Sequence, residues 1–362
     1  MTSSRRNLRS PYMEWAKLHS HARFELSTSG VENFPLAKLP VRLEDLEITG
    51  PGAYGYPPLQ ERLARKAGVP VECVVAAAGT SMANFLAMAA VLDPGDDEVL
   101  IEHPTYELIV STAEFLGASV RRFFRRVEDG FRVDPGEVER AMTPQTRLVV
   151  LTNLNNPTGV RVEDETLREV GRIAAAHGAR VLVDEVYLEA CFDSPARSAF
   201  HLGANFLATS SLTKAYGLSG LRCGWILAEP ALAERMWRHF DFIGASSAHT
   251  AERMSVIALD HLGQVATRAR ALLDCNRQLL DRFLDSRSDL DVVRPQAGTV
   301  CFPKLRGGRV DEFCRILREK YDTSVVPGRF FEMPDHFRIG IGGETAMVEE
   351  GLAQLSKALD DL

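Results

Sequence analysis

The residues of this sequence best suited to chemistry are Asn156, Asp184 and Lys214. Each follows a short apolar run that is typical of a buried strand. Ligands of doubly wound sheets bind at the carboxyl ends of the strands, so we expect these three side chains to converge. An amide, a carboxylate and an amine on one edge suit a flat heteroaromatic ligand that carries a carbonyl group.

Asp184 ends a run of three apolar residues, which predicts a fully buried strand with a carboxylate at its end. A buried carboxylate must be paired, or it becomes protonated. A pyridinium nitrogen would be a suitable partner, because the ion pair keeps such a ring protonated as an electron sink. Taken alone, however, an aspartate in this position is more often an ordinary helix cap.

Lys214 lies in the most specific segment of the chain, a glycine-rich turn flanked by hydroxyl groups. An arginine follows eight residues later, so the lysine amine can meet a carbonyl while Ser211 and Arg222 bind a phosphate. The Ser-x-x-Lys spacing alone would also fit a penicillin-binding serine enzyme. The Ser-Asp-Asn and Lys-Thr-Gly segments that those enzymes require are absent from the sequence.

A sheet must position these residues, and segment 70–230 predicts one. Short apolar runs alternate there with helix-length amphipathic stretches, the pattern of βα units around a mainly parallel sheet. The predicted strands span residues 71–76, 98–101, 119–124, 148–152, 181–183, 206–209 and 224–228. Helices are predicted at 81–92 and 163–177, among others.

The C-terminal third predicts a second, α+β domain. A long helical stretch from 231 to about 284 precedes strands at 291–293, 299–302 and 337–341 and helices at 311–320 and 345–359. Residues 1–45 are rich in loops and too short for a domain. We therefore predict a large domain at 46–270 and a small domain formed by 1–45 and 271–362.

Taken together, the motifs resemble those of the class I/II aminotransferases, the aspartate aminotransferase type of pyridoxal 5'-phosphate (PLP) enzyme. The resemblance runs from about residue 50 to 343. It rests on Tyr54 with its glycines, Gly79-Thr80-Ser81, Pro104-Thr-Tyr106, Asn155-Asn156-Pro157-Thr158-Gly159, Asp184-Glu-Val-Tyr187, Ser211-Leu-Thr-Lys214, Arg222 and Arg338-Ile-Gly340. It implies PLP as cofactor and fold type I, an α/β fold with a mostly parallel seven-stranded sheet and a smaller α+β domain.

The resemblance assigns roles around the PLP ring. Lys214 is expected to form the Schiff base, and Asp184 to pair with the pyridine nitrogen. Asn156 and Tyr187 are expected to hydrogen-bond the phenolic oxygen O3', and Tyr106 to stack on the ring. Lys214, Asp184 and Tyr187 are therefore the predicted catalytic residues.

The phosphate of PLP is expected at Thr80 and Ser81, whose backbone amides open a predicted helix. Free N–H groups and the helix dipole favour an anion there. Ser211 and Arg222 complete this predicted phosphate site from the same subunit. In the resembling family, the tyrosine that Tyr54 matches reaches the phosphate in the neighbouring subunit, which implies a homodimer.

Arg338 matches the residue that binds the substrate α-carboxylate, a role suited to a planar bidentate donor. Gly30 and Asn156 are the other predicted substrate contacts. Leu154 stands where the family usually has a proline beside the ring. Loop 243–250 offers no arginine for a second carboxylate, which argues against aspartate or glutamate as the sole substrate. Whether His249 faces the pocket stays open.

The resemblance implies transamination, in which an amino acid donates its amino group to a 2-oxo acid. Lys214 would then move the α-proton from Cα to C4' of the cofactor. The same residues also serve β-elimination, as in a C–S lyase, and the cyclisation of an amino acid, so a lyase or synthase is the alternative. A binding protein that has lost catalysis is disfavoured, because every expected catalytic position is occupied.

Composition excludes several other functions. A formal net charge of -7 and the absence of a long basic run argue against nucleic acid as a partner. The six cysteines are scattered without a CxxC pair, which predicts reduced thiols and no metal site. The chain shows neither a signal-peptide run nor 18 consecutive uncharged apolar residues, which predicts a cytoplasmic protein without a membrane segment.

Overall fold

The computed structural model describes residues 9–193 and 197–362; residues 1–8, part of the segment examined for a signal peptide, lie outside it. The helices are α1 Pro11–Leu18, α2 Pro57–Ala67, α3 Thr80–Val91, α4 Glu107–Phe115, α5 Pro135–Ala141, α6 Asp164–Ala176, α7 Pro230–Phe240, α8 His249–Asp260, α9 Leu262–Asp285, α10 Val310–Tyr321 and α11 Thr345–Asp360. The strands are β1 Phe24–Glu25, β2 Val74–Ala78, β3 Glu98–His103, β4 Ser119–Phe124, β5 Thr146–Thr152, β6 Arg180–Asp184, β7 Phe206–Ser211, β8 Cys223–Leu227, β9 Leu290–Asp291, β10 Val300–Cys301, β11 Lys304–Leu305, β12 Thr323–Ser324, β13 Val326–Pro327 and β14 Phe337–Gly340. None of the helices in these ranges is long and apolar enough to cross a membrane.

A seven-stranded sheet with the order β2-β8-β7-β6-β5-β3-β4 forms the centre of the molecule. Strand β8 runs antiparallel to its two neighbours, and every other pair in this sheet is parallel. The predicted α/β fold with a mostly parallel seven-stranded sheet is therefore confirmed. The register places Thr152 beside Asp184 and Asp184 beside Thr209, so the ends of three neighbouring strands meet on one edge.

The central strands are apolar on both faces because helices cover both sides of the sheet. Side chains alternate along a strand, so Val181 and Val183 of β6 face one way and Leu182 faces the other. The two valines pack in the same apolar cluster as residues of α5 and α6. Leu182 belongs to the cluster that holds residues of α2, α3 and α7. Apolar clusters thus support the central strands on both faces of the sheet.

Shorter strands and long helices make up the smaller α+β part. Strand β14 pairs with β10 and β13, β9 pairs with β11, and β1 pairs in parallel with β12. Helices α9 and α11 pack on each other. Helix α9 runs across residue 270, and the division into 46–270 and the remainder stays a prediction.

Three local differences from the sequence-based expectation have physical reasons. Residues 71–73 form a 3-10 turn after Pro70, so the first strand begins only at Val74. The long helix predicted from 231 is divided into α7, α8 and α9, with Ala245 in a left-handed conformation in the first break. Helix α1 lies in the stretch expected to be loop, where Ser10 caps it through the Met13 amide.

Candidate active site

Asp184 lies buried at the end of β6 and accepts two hydrogen bonds. Asn84 Nδ2 on α3 donates to Oδ2 over 2.8 Å, and the Val186 amide donates to Oδ1 over 3.0 Å. Thr209 on β7 donates to Asn84 Oδ1 over 2.6 Å, which fixes the orientation of the amide. Burial raises the pKa of Asp184 to about 6, because two neutral donors replace only part of the lost hydration.

Lys214 and Tyr187 meet at one hydroxyl group. Lys214 Nζ donates to Ser29 Oγ over 3.1 Å, and the Tyr187 hydroxyl donates to the same oxygen over 2.8 Å. Burial lowers the pKa of Lys214 to about 8, and the positive charges of Arg338 and Arg222 act in the same direction. Burial raises the pKa of Tyr187 to about 12. The lysine therefore gives up its proton more easily than an exposed lysine does.

Arg338 on β14 is 0% exposed. Its Nη1 donates to Asn156 Oδ1 over 2.8 Å, and its Nη2 donates to the Ser27 carbonyl over 2.8 Å and to the Tyr12 hydroxyl over 3.1 Å. Among the described residues, no partner accepts from Nε and no carboxylate lies within 4 Å of the guanidinium. Within the described part of the chain, Arg338 is thus a buried cation whose hydrogen-bond acceptors are all neutral.

The N-terminus of α3 lies beside Arg222. Its N-cap residue is Gly79, with φ +85°, where a Cβ would lie only 2.3 Å from Arg222 Nη2. Arg222 Nη2 donates to the Ala78 carbonyl over 2.9 Å. The buried Oγ1 of Thr80 has no partner within the described ranges, and Ser81 is exposed. An uncapped helix beside a guanidinium suits an anion such as a phosphate.

The other predicted residues of the single-chain site lie near these groups. A Cβ at Gly30 would lie 3.5 Å from Lys214 Cδ. Ser211 is buried and pairs with Gly224 of β8, the strand that also pairs with β2 ahead of α3. Tyr106 lies at the start of α4 with its ring edge-on to Tyr12 at 5.4 Å.

Tyr54 and His249 lie away from this cluster. Tyr54 is 43% exposed, and its hydroxyl donates to Asp241 over 2.9 Å and accepts from Arg238. His249 begins α8, and its ring packs edge-on against Tyr56 at 4.9 Å. Within residues 9–193 and 197–362, no three His, Cys, Asp or Glu side chains are grouped to hold a metal ion.

Sequence reasoning missed four residues of the cluster: Ser29, Asn84, Thr209 and Tyr12. Asn84 had a usable signal, because it is the only polar residue of α3 after Ser81. Ser29 and Tyr12 had none, since they lie in an N-terminal stretch without a periodic pattern and contact residues more than 150 positions away.

The site matches the parts of one cofactor. An amine with a lowered pKa, a buried carboxylate at a neighbouring strand end and an uncapped helix beside an arginine fit the carbonyl, ring nitrogen and phosphate of PLP. The fold and this combination of groups define a PLP-dependent enzyme of fold type I.

The chain belongs to the aminotransferase class I and II family, whose sequence model matches residues 45–355. It is 31% identical to the capreomycidine synthase of Streptomyces vinaceus over 96% of this chain and 93% of that protein. A PLP-dependent aminotransferase from Streptococcus suis superposes with a TM-score of 0.91 at 25% identity, covering 100% of this chain and 99% of that chain. The PLP-dependent cyclase OrfR superposes with a TM-score of 0.88 at 25% identity, over 98% and 97% of the two chains. The expected family and its cofactor, PLP, are confirmed.

Proposed function

We propose that this chain is an aminotransferase that uses PLP at Lys214 to move an amino group from a free amino acid to a 2-oxo acid. One observation carries the proposal. Arg338 is a buried cation without a carboxylate partner among the described residues, and it lies near enough to Lys214 to lower the pKa of that amine. A site for a substrate carboxylate thus adjoins a group that can take up a proton.

Each part of the cofactor is contacted by different residues of the cluster. Asp184 pairs with the ring nitrogen, Asn156 and Tyr187 hydrogen-bond O3', and Tyr106 stacks on the ring. The phosphate contacts are Thr80, Ser81, Ser211 and Arg222. When bound, PLP supplies the electron sink that makes the α-proton of an amino acid acidic.

Arg338 binds the substrate α-carboxylate through its charge and its free donors, and Asn156 keeps the guanidinium in place. Gly30 lies directly beside Lys214, where a Cβ would be in van der Waals contact with the lysine stem. Lys214 would take up the α-proton of the substrate and hold it beside the cofactor. Its lowered pKa leaves a useful fraction of the amine neutral near pH 7 to 8.

A second candidate is the formation of a cyclic amino acid. It is supported by the whole-chain likeness to capreomycidine synthase and by the TM-score of 0.88 to the cyclase OrfR. Both reactions begin with removal of the α-proton, so Lys214 and Asp184 serve either one. The fate of the resulting carbanion separates them.

The two candidates are distinguished by product analysis. PLP-loaded enzyme is incubated with single amino acids, including cationic ones and ones with a hydroxyl or thiol at Cβ, and the products are identified by chromatography and mass spectrometry. Transamination forms pyridoxamine phosphate and a 2-oxo acid, and a second 2-oxo acid restores PLP. Release of ammonia and pyruvate, or a cyclic product, without pyridoxamine phosphate would instead support a lyase or the second candidate. Lys214→Ala is the control.

We also propose a homodimer in which Tyr54 reaches the phosphate site of the partner. Tyr54 is 43% exposed, and Ser81 and Arg222 of the phosphate site are exposed in the single chain. The apolar side chains of Ile48 and Phe242, in the same part of the chain surface as Tyr54 and Asp241, are 91% and 89% exposed. A second copy would cover such side chains.

Subunit mixing tests this arrangement. Tyr54→Phe and Lys214→Ala each damage both sites of a homodimer, but a mixed dimer keeps one site with both native residues. Activity above that of either variant alone is the expected result, with sedimentation as the check on dimer formation. Monomeric protein, or mixtures without any gain, would contradict the proposal.

A further inference from the structure

Ser29 joins two side chains that come from different strand ends. Its buried Oγ accepts from the Tyr187 hydroxyl over 2.8 Å and from Lys214 Nζ over 3.1 Å. Tyr187 follows β6 and Lys214 follows β7. A single hydroxyl from the N-terminal segment therefore lies between two of the proposed catalytic groups.

The backbone around Ser29 is tied down on two sides. Its carbonyl accepts from Thr299 Oγ1 over 2.7 Å, next to β10 of the smaller α+β part. The amide of Val31 donates to the carbonyl of Lys214 over 2.8 Å. The hydroxyl is thus held at a fixed place relative to the lysine backbone, so its bond to Nζ restricts where the amine can lie.

We propose that Ser29 is a positioning residue that holds the Lys214 amine and the Tyr187 hydroxyl in their working places. A lysine amine on a four-carbon stem has many rotamers, and a fixed partner at its end selects among them. A serine hydroxyl accepts from an ammonium and donates to a neutral amine, so it keeps this partnership while Lys214 gains or loses its proton. The proposal rests on the proposed role of Lys214 as the reactive amine.

Besides the Ser29 hydroxyl, three charged groups affect the pKa of the Lys214 amine. Arg338 and Arg222 lower its pKa and the Asp184 carboxylate raises it, while burial lowers it most. A hydrogen bond from the charged ammonium is stronger than one to the neutral amine, so the Ser29 bond favours the charged form. Loss of the hydroxyl is therefore expected to lower the pKa of Lys214 further, with the other groups unchanged.

The test uses the full-length protein without PLP. A limiting amount of trinitrobenzenesulfonate is added between pH 6 and 10, and modification of the Lys214 peptide is followed by mass spectrometry. In the wild-type protein, Lys214 modification is expected to reach half of its maximal extent near pH 8. Ser29→Ala should lower this midpoint by about one pH unit. Ser29→Thr should restore it. Thr28→Ala, which removes an exposed hydroxyl from the same loop, should leave it unchanged.

A midpoint in Ser29→Ala equal to that of Thr28→Ala would overturn the proposal, whatever happens to thermal stability. Ser29→Cys, with a weakly accepting thiol of similar size, is expected to give the same downward shift and replaces the alanine variant if that fails to fold. Because the measurement needs no PLP, it stays decisive if Lys214 proves not to bind the cofactor. Failure of Lys214 to bind PLP would contradict the proposed function, whereas an unchanged midpoint in Ser29→Ala would contradict the role of Ser29.

Discussion

Two buried arginines of this protein have opposite surroundings. Arg125 and Glu102 form an ion pair at 2.8 Å with both side chains 0% exposed. Arg125 also donates to the carbonyls of Phe131 and Val160, so each of its three nitrogens has a partner. Arg338 is equally buried, yet every group that accepts from it is neutral, and its Nε donates to none of the described residues.

This difference distinguishes an arginine that stabilises the fold from an arginine that is available to bind a ligand. A buried charge is costly unless it is paired, and Arg125 is paired within the fold. Arg338 retains donor capacity and positive charge at the site where the proposed substrate presents a carboxylate. We therefore expect Arg125 to matter for stability and Arg338 for activity, and substitutions can test each side.

The largest expected effect is on stability, in Arg125→Met. This change leaves the Glu102 carboxylate buried without its counter-ion, so the free energy of unfolding should fall by about 3–5 kcal/mol. Urea unfolding at pH 7 measures it. The double variant Arg125→Met/Glu102→Gln should recover part of the loss, because it removes the buried charge. A loss below about 1 kcal/mol in Arg125→Met would break the comparison.

Arg338→Leu is expected to lower kcat/KM by about 10²–10³ because the substrate carboxylate loses its charged partner. Its free energy of unfolding should fall less than that of Arg125→Met, since no buried carboxylate is left unpaired. Steady-state kinetics and urea unfolding are measured on the same preparation. Arg338→Lys should recover only part of the activity, because an ammonium lacks the planar set of donors that keeps the guanidinium in place. Near-normal kcat/KM in Arg338→Leu would contradict the assigned role.

Asp184 is a third buried charge, its donors among the described residues are neutral, and its effect on stability should depend on pH. Its pKa rises from 3.8 to about 6 on folding, so the folded state favours the protonated form. This group therefore costs the PLP-free protein stability increasingly from about pH 4 to 6, and by up to about 3 kcal/mol above pH 6.

Asp184→Asn should accordingly be more stable than wild type at pH 7.5 and should lose that advantage at pH 4. The amide keeps an oxygen that can accept from Asn84, and the bond from the Val186 amide is lost at every pH. Urea unfolding of both PLP-free proteins across this range measures the difference. If the difference in unfolding free energy between the two proteins does not depend on pH, burial of the Asp184 carboxylate does not destabilise the folded protein.

The smallest expected effect is in Tyr12→Phe. Loss of the hydroxyl removes one of the three acceptors that hold Arg338. The lost hydrogen bond contributes about 1 kcal/mol. KM should therefore rise about fivefold, with kcat unchanged. Steady-state kinetics measure both constants. Tyr321→Phe, which removes the hydroxyl that a half-buried tyrosine of α10 donates to Asp361, serves as the matched control. A fall in kcat at constant KM would assign Tyr12 a different role.

Much of the fold and the core of the site follow from sequence because they depend on neighbouring strands. Strands β5, β6 and β7 are adjacent both along the chain and in the sheet, so the polar residues after them had to meet on one edge. The run of apolar residues in β6 likewise agrees with its burial between two layers of helices.

The remainder depends on contacts between distant segments, which one sequence does not encode locally. Ser29 meets Tyr187 across 158 positions, and Tyr12 meets Arg338 across 326. No spacing rule connects such pairs. That no carboxylate of the described residues lies around Arg338 is likewise a property of its three-dimensional surroundings, and the fold distinguishes it from Arg125.

The central claim is that Lys214 is the residue that binds PLP. Wild-type protein incubated with PLP is reduced with borohydride, digested and analysed by peptide mass spectrometry. We expect a phosphopyridoxyl group on Lys214 that is absent from Lys214→Ala, and no label on exposed lysines such as Lys320. Stoichiometric label on another lysine, or none on Lys214, would contradict it.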